Sequence, residues 1–305
     1  MSELAVSIRG VEKRYGKVHA VRSLDLDVPR GSLVGFLGPN GAGKSTTIRM
    51  IMSIIYPDAG SIEVLGATAL QAKNRIGYLP EERGLYRKMK IIQFLRYIAR
   101  LKDVDRREID SRINWWLERL EFPDALRRRC EALSKGQQQK LQFIAAVLHD
   151  PELIILDEPF SGLDPVNAQV LSGIIRELHE QGRTIIFSTH VLHQAEQLCD
   201  RVFLINQGVK LLDDTLDGIH ERYNPRVIAL EMLDSGGQIP STLPGVRDIT
   251  PTANGTKFDL HLQTDADVRS IMQSLTTNYE VRSIELRRPT LDDVFVDMVQ
   301  GAGTT

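Results

Sequence analysis

Nine residues, GPNGAGKST at Gly38–Thr46, fit the pattern G-x-x-x-x-G-K-[ST]. They follow an apolar run and open a helical one, the setting in which such a loop holds phosphate. Gly38, Gly41 and Gly43, with Pro39, Asn40 and Ala42 between them, let the backbone curl so that successive N–H groups face one anion. The helix that follows adds the positive end of its dipole. Lys44 can then reach the β- and γ-phosphates of a nucleoside triphosphate, and the Ser45 hydroxyl can join a Mg²⁺ shell. The N–H and hydroxyl of Thr46 would face the α-phosphate. A second signal is LIILDE at Leu153–Glu158. Its apolar run delivers Asp157 to the end of a strand, where α/β sheets place ligands. One carboxylate there can hold Mg²⁺, directly or through water. The adjacent Glu158 is placed to polarise an attacking water, a role worth ~10²–10⁴ in rate. Taken alone, an apolar run ending in Asp-Glu is a strand end; the phosphate loop upstream gives it chemical meaning.

The elements that must position these groups are also legible. Ser32–Leu37 reads as the strand before the loop, and Lys44–Ile55 as the helix after it. Ser61–Leu65 and Arg75–Tyr78 read as strands. Leu153–Leu156 and Thr184–Phe187 are short, continuously apolar runs, as in strands covered on both faces. Strand–helix alternation from Leu4 to about Leu212 argues for an α/β core with a largely parallel sheet. Ile91–Leu120 is helical in pattern and interrupts that alternation as a candidate helical subdomain, closed by Pro123 and the basic run Arg127–Arg129. Asp213–Pro225 turns polar and reads as a linker. Beyond it, Val227–Met232, Lys257–Leu262 and Val281–Leu286 read as strands. Asp267–Leu275 and Leu291–Val299 read as helices, the second opened by Thr290 and Asp293 at capping-box spacing. The domains are therefore placed at 1–217, with the helical subdomain at about 85–150, and at 218–305.

With 305 residues, 42% hydrophobic and 26% charged, the chain has an ordinary globular composition. A formal net charge of −2 gives no general attraction to nucleic acid. Apolar runs such as Leu153–Leu156 are too short to cross a bilayer. The opening MSELAVSIRG lacks the features of a signal peptide, so the expectation is a cytoplasmic chain that reaches a membrane only through a partner. Cys130 and Cys199 stand in unrelated contexts and suggest partly buried thiols rather than a metal site.

With both phosphate motifs in place, Leu4 to Leu212 resembles the ABC (ATP-binding cassette) transporter ATPase family, whose motifs occur here in the family's order. LSKGQQQ at Leu133–Gln139 resembles the signature motif LSGGQ. The resemblance implies that Ser134, Gly136 and Gln137 contact ATP bound to a second subunit, at the tip of a helix. Lys135 stands where the family has glycine, so its side chain must turn away from the nucleotide or add charge beside it. Ser161–Asp164 looks like the loop that links the two sites, and Ser188-Thr189-His190 looks like the switch histidine segment. His190 would then bond the γ-phosphate and hold Glu158 and water in line. Tyr15 matches the aromatic residue that stacks on adenine; a buried structural tyrosine is the competing reading. IGYLPEE at Ile76–Glu82 resembles the family's glutamine loop, but here Glu81 replaces the amide. A carboxylate still offers Mg²⁺ an oxygen, yet it cannot donate a hydrogen bond. Gly84–Lys90 would face a membrane partner, or else be an ordinary solvated helix start.

The fold class implied is α/β: a P-loop NTPase ABC ATPase core with a mostly parallel sheet, an antiparallel β subdomain and a helical subdomain, plus a small C-terminal α+β domain. The cofactors implied are ATP and Mg²⁺. The partners implied are a second copy, joined head to tail around two ATP molecules, and integral membrane permease subunits; no nucleic acid is expected. The chain would lie on the inner face of the cell membrane. The C-terminal stretch Pro289–Phe295 resembles the extension of ABC-2 exporter ATPases, and IGYLPEERGLY resembles sodium-exporter-like ones; drugs, lipids, sugars and sodium ions all remain open as cargo. A soluble ABC ATPase of translation or DNA repair is the alternative. Against it, only positions 47–152, 106 residues, separate the two phosphate motifs, too few for a long inserted coiled coil. A nucleotide-sensing regulator is expected to lack Glu158 or His190, and both are present.

Overall fold

The computed structural model describes residues 3–82, 84–122, 126–223, 227–233, 243–253, 256–263, 265–287 and 290–301. The chain divides into two compact units, Met1–Leu216 and Asp217–Thr305.

In the first unit, β1 (Leu4–Tyr15), β2 (Val18–Pro29) and β4 (Ala59–Val64) form an antiparallel sheet in the order β2-β1-β4. The central sheet has the order β5-β6-β7-β3-β8-β9, built from β5 (Ile76–Leu79), β6 (Leu153–Asp157), β7 (Thr184–Thr189), β3 (Leu33–Leu37), β8 (Arg201–Asn206) and β9 (Val209–Thr215). The pairings from β5 to β8 are parallel, and β9 runs antiparallel at the edge. β3, β6 and β7 are buried along their whole length, which is why they read as unbroken apolar runs. Their register sets where the strand ends meet. Leu37 pairs with Thr189 and Asp157 pairs with Ser188, so three adjacent strands end level at one sheet edge.

Between β3 and β4 lies α1 (Lys44–Ile51). It stops short of the expected Ile55 because the chain turns at Ser53, whose φ is 55°. The expected helical stretch Ile91–Leu120 is two helices, α2 (Ile91–Leu101) and α3 (Ile109–Arg119). Asp103, at φ 56°, makes the break without a glycine or proline to announce it. α2 buries Ile91, Phe94, Leu95 and Ala99, a helical i, i+3, i+4, i+8 stripe. α4 (Lys135–Val147) completes the helical region, and α5 (Pro165–Glu180) and α6 (Leu192–Leu198) flank β7 in sequence. The expected linker at Asp213–Pro225 is a correction. Asp213 and Asp214 belong to β9, and α7 (Leu216–Arg222) follows; Pro225 lies outside the described residues. Arg201 pairs with Asp213 at 2.7 Å, so a segment that looks solvated carries its charge within a sheet.

The second unit is a four-stranded antiparallel sheet in the order β11-β12-β10-β13, with β10 (Val227–Met232), β11 (Val246–Ala253), β12 (Lys257–Leu262) and β13 (Val281–Arg287). Ile228, Leu230 and Met232 alternate onto one face and pack with Leu260, Leu262 and with Ile271 and Leu275 of α8 (Val268–Asn278). Each such side chain contributes about 1.5–3 kcal/mol when fully buried. α9 (Leu291–Gly301) opens with the reciprocal cap read from the sequence: Asp293 accepts from the Thr290 N–H, and the Asp293 N–H donates to Thr290 Oγ1. β11 carries Pro251 and sits at the sheet edge, where proline is tolerated.

Candidate functional site

The phosphate loop joins β3 to α1, and Gly43 is one of the loop residues, with Gly38, at which the backbone requires glycine. It caps α1 at φ 112°, and a Cβ built there would lie 2.6 Å from the Ala20 carbonyl oxygen. The loop is anchored on both sides. Gly208 N–H donates to the Ala42 carbonyl at 2.9 Å, and Thr47 Oγ1 donates to the Gly43 carbonyl at 2.9 Å. Lys44 is buried, and its ammonium donates to the carbonyls of Gly38 at 2.7 Å and Pro39 at 3.2 Å. Burial pulls the Lys44 pKa down, while the carboxylates of Glu158, Asp157 and Glu81 pull it back up.

At the end of β6, Asp157 is 1% exposed and accepts a hydrogen bond from Ser188 Oγ. Burial raises its pKa; the Ser188 and Ser45 hydroxyls oppose that, and the Glu81 and Glu158 carboxylates add to it. Glu158 turns the chain at φ 49°, a left-handed conformation uncommon outside glycine. Its N–H donates to the Ser188 carbonyl at 3.2 Å and to Ser188 Oγ at 3.3 Å. This turn swings its side chain to His190, whose Nδ1 lies 2.8 Å from Glu158 Oε1. A carboxylate can only accept, so Nδ1 carries the proton in this pair.

These groups border a cleft of about 610 Å³. Among the expected residues, Asn40, Gly41, Gly43, Lys44, Ser45, Thr46, Glu81 and Glu158 line it. Asp157 lies beneath, bonded to Ser188, and His190 reaches it through Glu158. Gly38, Pro39 and Ala42 serve as loop scaffold, their carbonyls holding Lys44 and Gly208. The opposite wall was not anticipated from the sequence. It is Lys17 and the start of β2, with Val18, His19 and Arg22, together with Gln207. Tyr15 is not among the lining residues, but it pairs across the ladder with Val18, which is. It is 49% exposed, which disposes of the buried-tyrosine reading.

The signature-like segment does not join this cleft. Ser134 caps α4 in a full capping box: its Oγ accepts from the Gln137 N–H at 3.3 Å, and Gln137 Oε1 accepts from the Ser134 N–H at 3.1 Å. The Gln137 side chain is thereby committed to its own helix. Gly136 faces Leu163 and Gly162, and Lys135 points to solvent. Sequence reasoning missed Gln139, which is buried and donates to the carbonyls of Pro159 at 2.9 Å and Glu158 at 3.3 Å. It ties α4 to the turn that aims Glu158; the signal was a polar residue on the buried stripe of a helix. Glu82, next to Glu81, lies 3.6 Å from Arg49. Asp164 caps α5 through the Asn167 N–H. His149 is half-buried, its Nε2 3.0 Å from the Ile76 carbonyl, and His193 is an exposed partner of Glu196. Cys130 and Cys199 are buried thiols with pKa values raised by that burial.

Residues 21–161 match the family described as ABC transporter, and residues 215–299 match the one described as ATP-binding protein DrrA1-3-like, C-terminal domain. The uncharacterized ABC transporter ATP-binding protein YhaQ of Bacillus subtilis (strain 168) is 40% identical over 295 residues, 96% of this chain and 98% of that protein. The daunorubicin resistance ATP-binding protein DrrA3 of Streptomyces coeruleorubidus is 32% identical over 310 residues, 98% of this chain and 96% of that protein. Among solved structures, an ATP-binding subunit of an ABC transporter matches with a TM-score of 0.68 and 30% identity, covering 72% of this chain and 93% of that one.

Proposed function

This chain belongs to the ABC transporter family of ATP-binding proteins, and we infer that it is the ATP-hydrolysing subunit that powers export through separate membrane subunits. One observation carries the chemical part of this reading. The Lys44 loop, Asp157 and the Glu158–His190 pair come together at the level ends of three adjacent parallel strands. In the reaction, ATP and water give ADP and phosphate. The loop N–H groups and Lys44 hold the β- and γ-phosphates and offset the charge that develops on them. Glu158 orients the attacking water and takes up its proton. His190 fixes the Glu158 carboxylate through its Nδ1–H; its other ring nitrogen donates to the γ-phosphate only in the doubly protonated ring, where both nitrogens are donors.

The donor set fits Mg²⁺. Ser45 hydroxyl, Asp157 and Glu81 supply only oxygen, the ligand type this ion prefers. Among the described residues no cluster of three or more His, Cys, Asp or Glu side chains could hold a metal by itself, which suits an ion bound jointly with nucleotide phosphates. When bound, it would neutralise charge between the phosphates. Tyr15 would stack on the base.

The signature helix tip lies outside the cleft of its own chain, which supports a head-to-tail dimer in which Ser134 and Gly136 meet ATP held by a second copy. Gln137 enters that reading as a helix cap rather than a direct contact. Among the described residues no helix is long and apolar enough to cross a membrane, so the channel would be supplied by permease subunits and the chain would sit against their inner face. The DrrA-like C-terminal match and the resistance function in the name of DrrA3 support an export direction. The soluble translation or repair alternative finds no such support. Phosphate release by the chain with its membrane subunits tests the reading. Lys44→Ala should abolish it, and Glu158→Gln should lower it by ~10²–10⁴ while ATP still binds. Hydrolysis that survives both substitutions would end the proposal.

A further inference from the structure

Tyr15 ends β1 opposite Val18, a wall residue of the cleft, which places the tyrosine next to the cleft. One face of its ring is already taken. Lys13 Nζ lies 5.7 Å from the ring centroid, within the range at which a cation is attracted to an aromatic face. Lys13 is itself fixed: its ammonium donates to the Tyr56 carbonyl at 2.7 Å and to Asp58 Oδ1 at 2.8 Å. The other oxygen of Asp58 accepts from the Arg14 N–H at 2.7 Å, and the Asp58 N–H donates to the Glu12 carbonyl at 2.9 Å. One carboxylate therefore pins both the lysine and the backbone next to Tyr15. Its bond from Lys13, then that from the Arg14 N–H, hold its pKa below the ordinary value. The strand needs this support, because the β1–β2 register shifts between Val11 and Lys13 and again between Lys13 and Arg14.

We propose that Lys13, held by Asp58, is a positioning residue for the nucleotide base: it keeps Tyr15 with one ring face on the ammonium and the other open for stacking. The proposal rests on the reading of Tyr15 as the stacking residue. A cation on one face draws electron density from the ring and favours an electron-rich purine on the opposite face. The effect is confined to the base and leaves the phosphate end alone, which separates it from a general loss of structure.

Calorimetric binding of ATP and of inorganic tripolyphosphate to the full chain tests this. Lys13→Met should weaken ATP about two- to five-fold, the fold-change of an exposed cation–π contact. It should raise KM with kcat unchanged and leave tripolyphosphate binding as in wild type, which also certifies the fold. Lys13→Arg should restore ATP binding, and Asp58→Asn should reproduce the Lys13→Met loss. Tyr15→Ala should weaken ATP about ten-fold, the scale of one lost stack, and adding Lys13→Met to it should cost nothing more. Equal loss for ATP and tripolyphosphate, or additive losses in the double variant, would overturn the proposal. If Tyr15→Ala weakens ATP while Lys13→Met does not, Lys13 alone is refuted. If Tyr15→Ala leaves ATP binding intact, the stacking reading falls with it.

Discussion

Replacing Gly43 by alanine should damage catalysis far more than it damages folding, and Gly66 supplies the control. Both residues have positive φ, 112° and 78°. A Cβ at Gly66 meets nothing within 4 Å, so Gly66→Ala bears only the conformational cost, ~1–2 kcal/mol for an L residue in the left-handed region. At ~1 kcal/mol that lowers Tm by roughly 2–4 °C in a unit of this size. At Gly43 the Cβ would stand 2.6 Å from the Ala20 carbonyl oxygen, about 0.8 Å inside the 3.4 Å at which ordinary contact begins. The obstacle is strand backbone, so the loop must move instead. Its displacement carries Lys44, whose ammonium is held 2.7 Å from the Gly38 carbonyl. A shift of that order at a reacting centre costs ~10² in rate. Thermal unfolding and ATPase kinetics on both variants separate the two costs. Gly66→Ala should keep wild-type kcat with a small fall in Tm. Gly43→Ala should lose about two orders of magnitude in kcat and at least as much Tm. A Gly43→Ala protein with wild-type kcat and a Tm no lower than that of Gly66→Ala would refute the argument.

Other outcomes follow from the same coordinates. Ser188→Ala removes a hydrogen bond to the Asp157 carboxylate that holds its pKa down, a bond of a kind worth ~1.5–3 kcal/mol. Burial already raises this pKa, so it rises further, and the acid limb of the kcat/KM profile should move to higher pH; an unmoved limb would count against Asp157 as a required anion. His149 has its pKa lowered to about 4 by burial, then by Lys102. Above pH 6.5 it is neutral in both folded and unfolded chains. Between pH 6.5 and 4 only the unfolded chain takes up the proton, so the fold loses stability as pH falls, by about 3 kcal/mol at most. Urea titrations of His149→Gln should show a flatter pH dependence than wild type across that window. Ser134→Ala should lose its helix cap, about 1 kcal/mol, and with it roughly 2–4 °C in Tm.

What could be read before the fold was known follows from how locally each feature is encoded. β6 and β7 are covered on both faces, so Leu153–Leu156 and Ile185–Phe187 are apolar without a break, and the polar residues that follow mark the strand ends at Asp157 and Thr189. The phosphate loop is legible because its backbone demands glycine at fixed positions. The α2–α3 break was hidden because Asp103 adopts positive φ without a glycine. Asp213–Thr215, the end of β9, reads as linker because its polar residues hide the strand: Asp213 is neutralised by Arg201 on the neighbouring strand, a contact set by topology. The same holds at the site. Lys44, Asp157 and Glu158 carry their chemistry in their type and spacing, whereas the wall of Lys17, His19 and Arg22 is brought there by the fold of the antiparallel sheet. Gln139 looked like one more polar residue of a repetitive QQQ run until α4 placed it against the Glu158 turn.

Cross-linking between copies tests the central claim most directly. Cysteines introduced as Asn40→Cys on the loop and Lys135→Cys on the α4 tip occupy exposed positions, while native Cys130 and Cys199 are buried. In a Glu158→Gln background with the membrane subunits present, ATP and Mg²⁺ should produce a covalent dimer joined from position 40 of one copy to 135 of the other, and adding Lys44→Ala should prevent it. Measured ATP occupancy without that link would contradict the account.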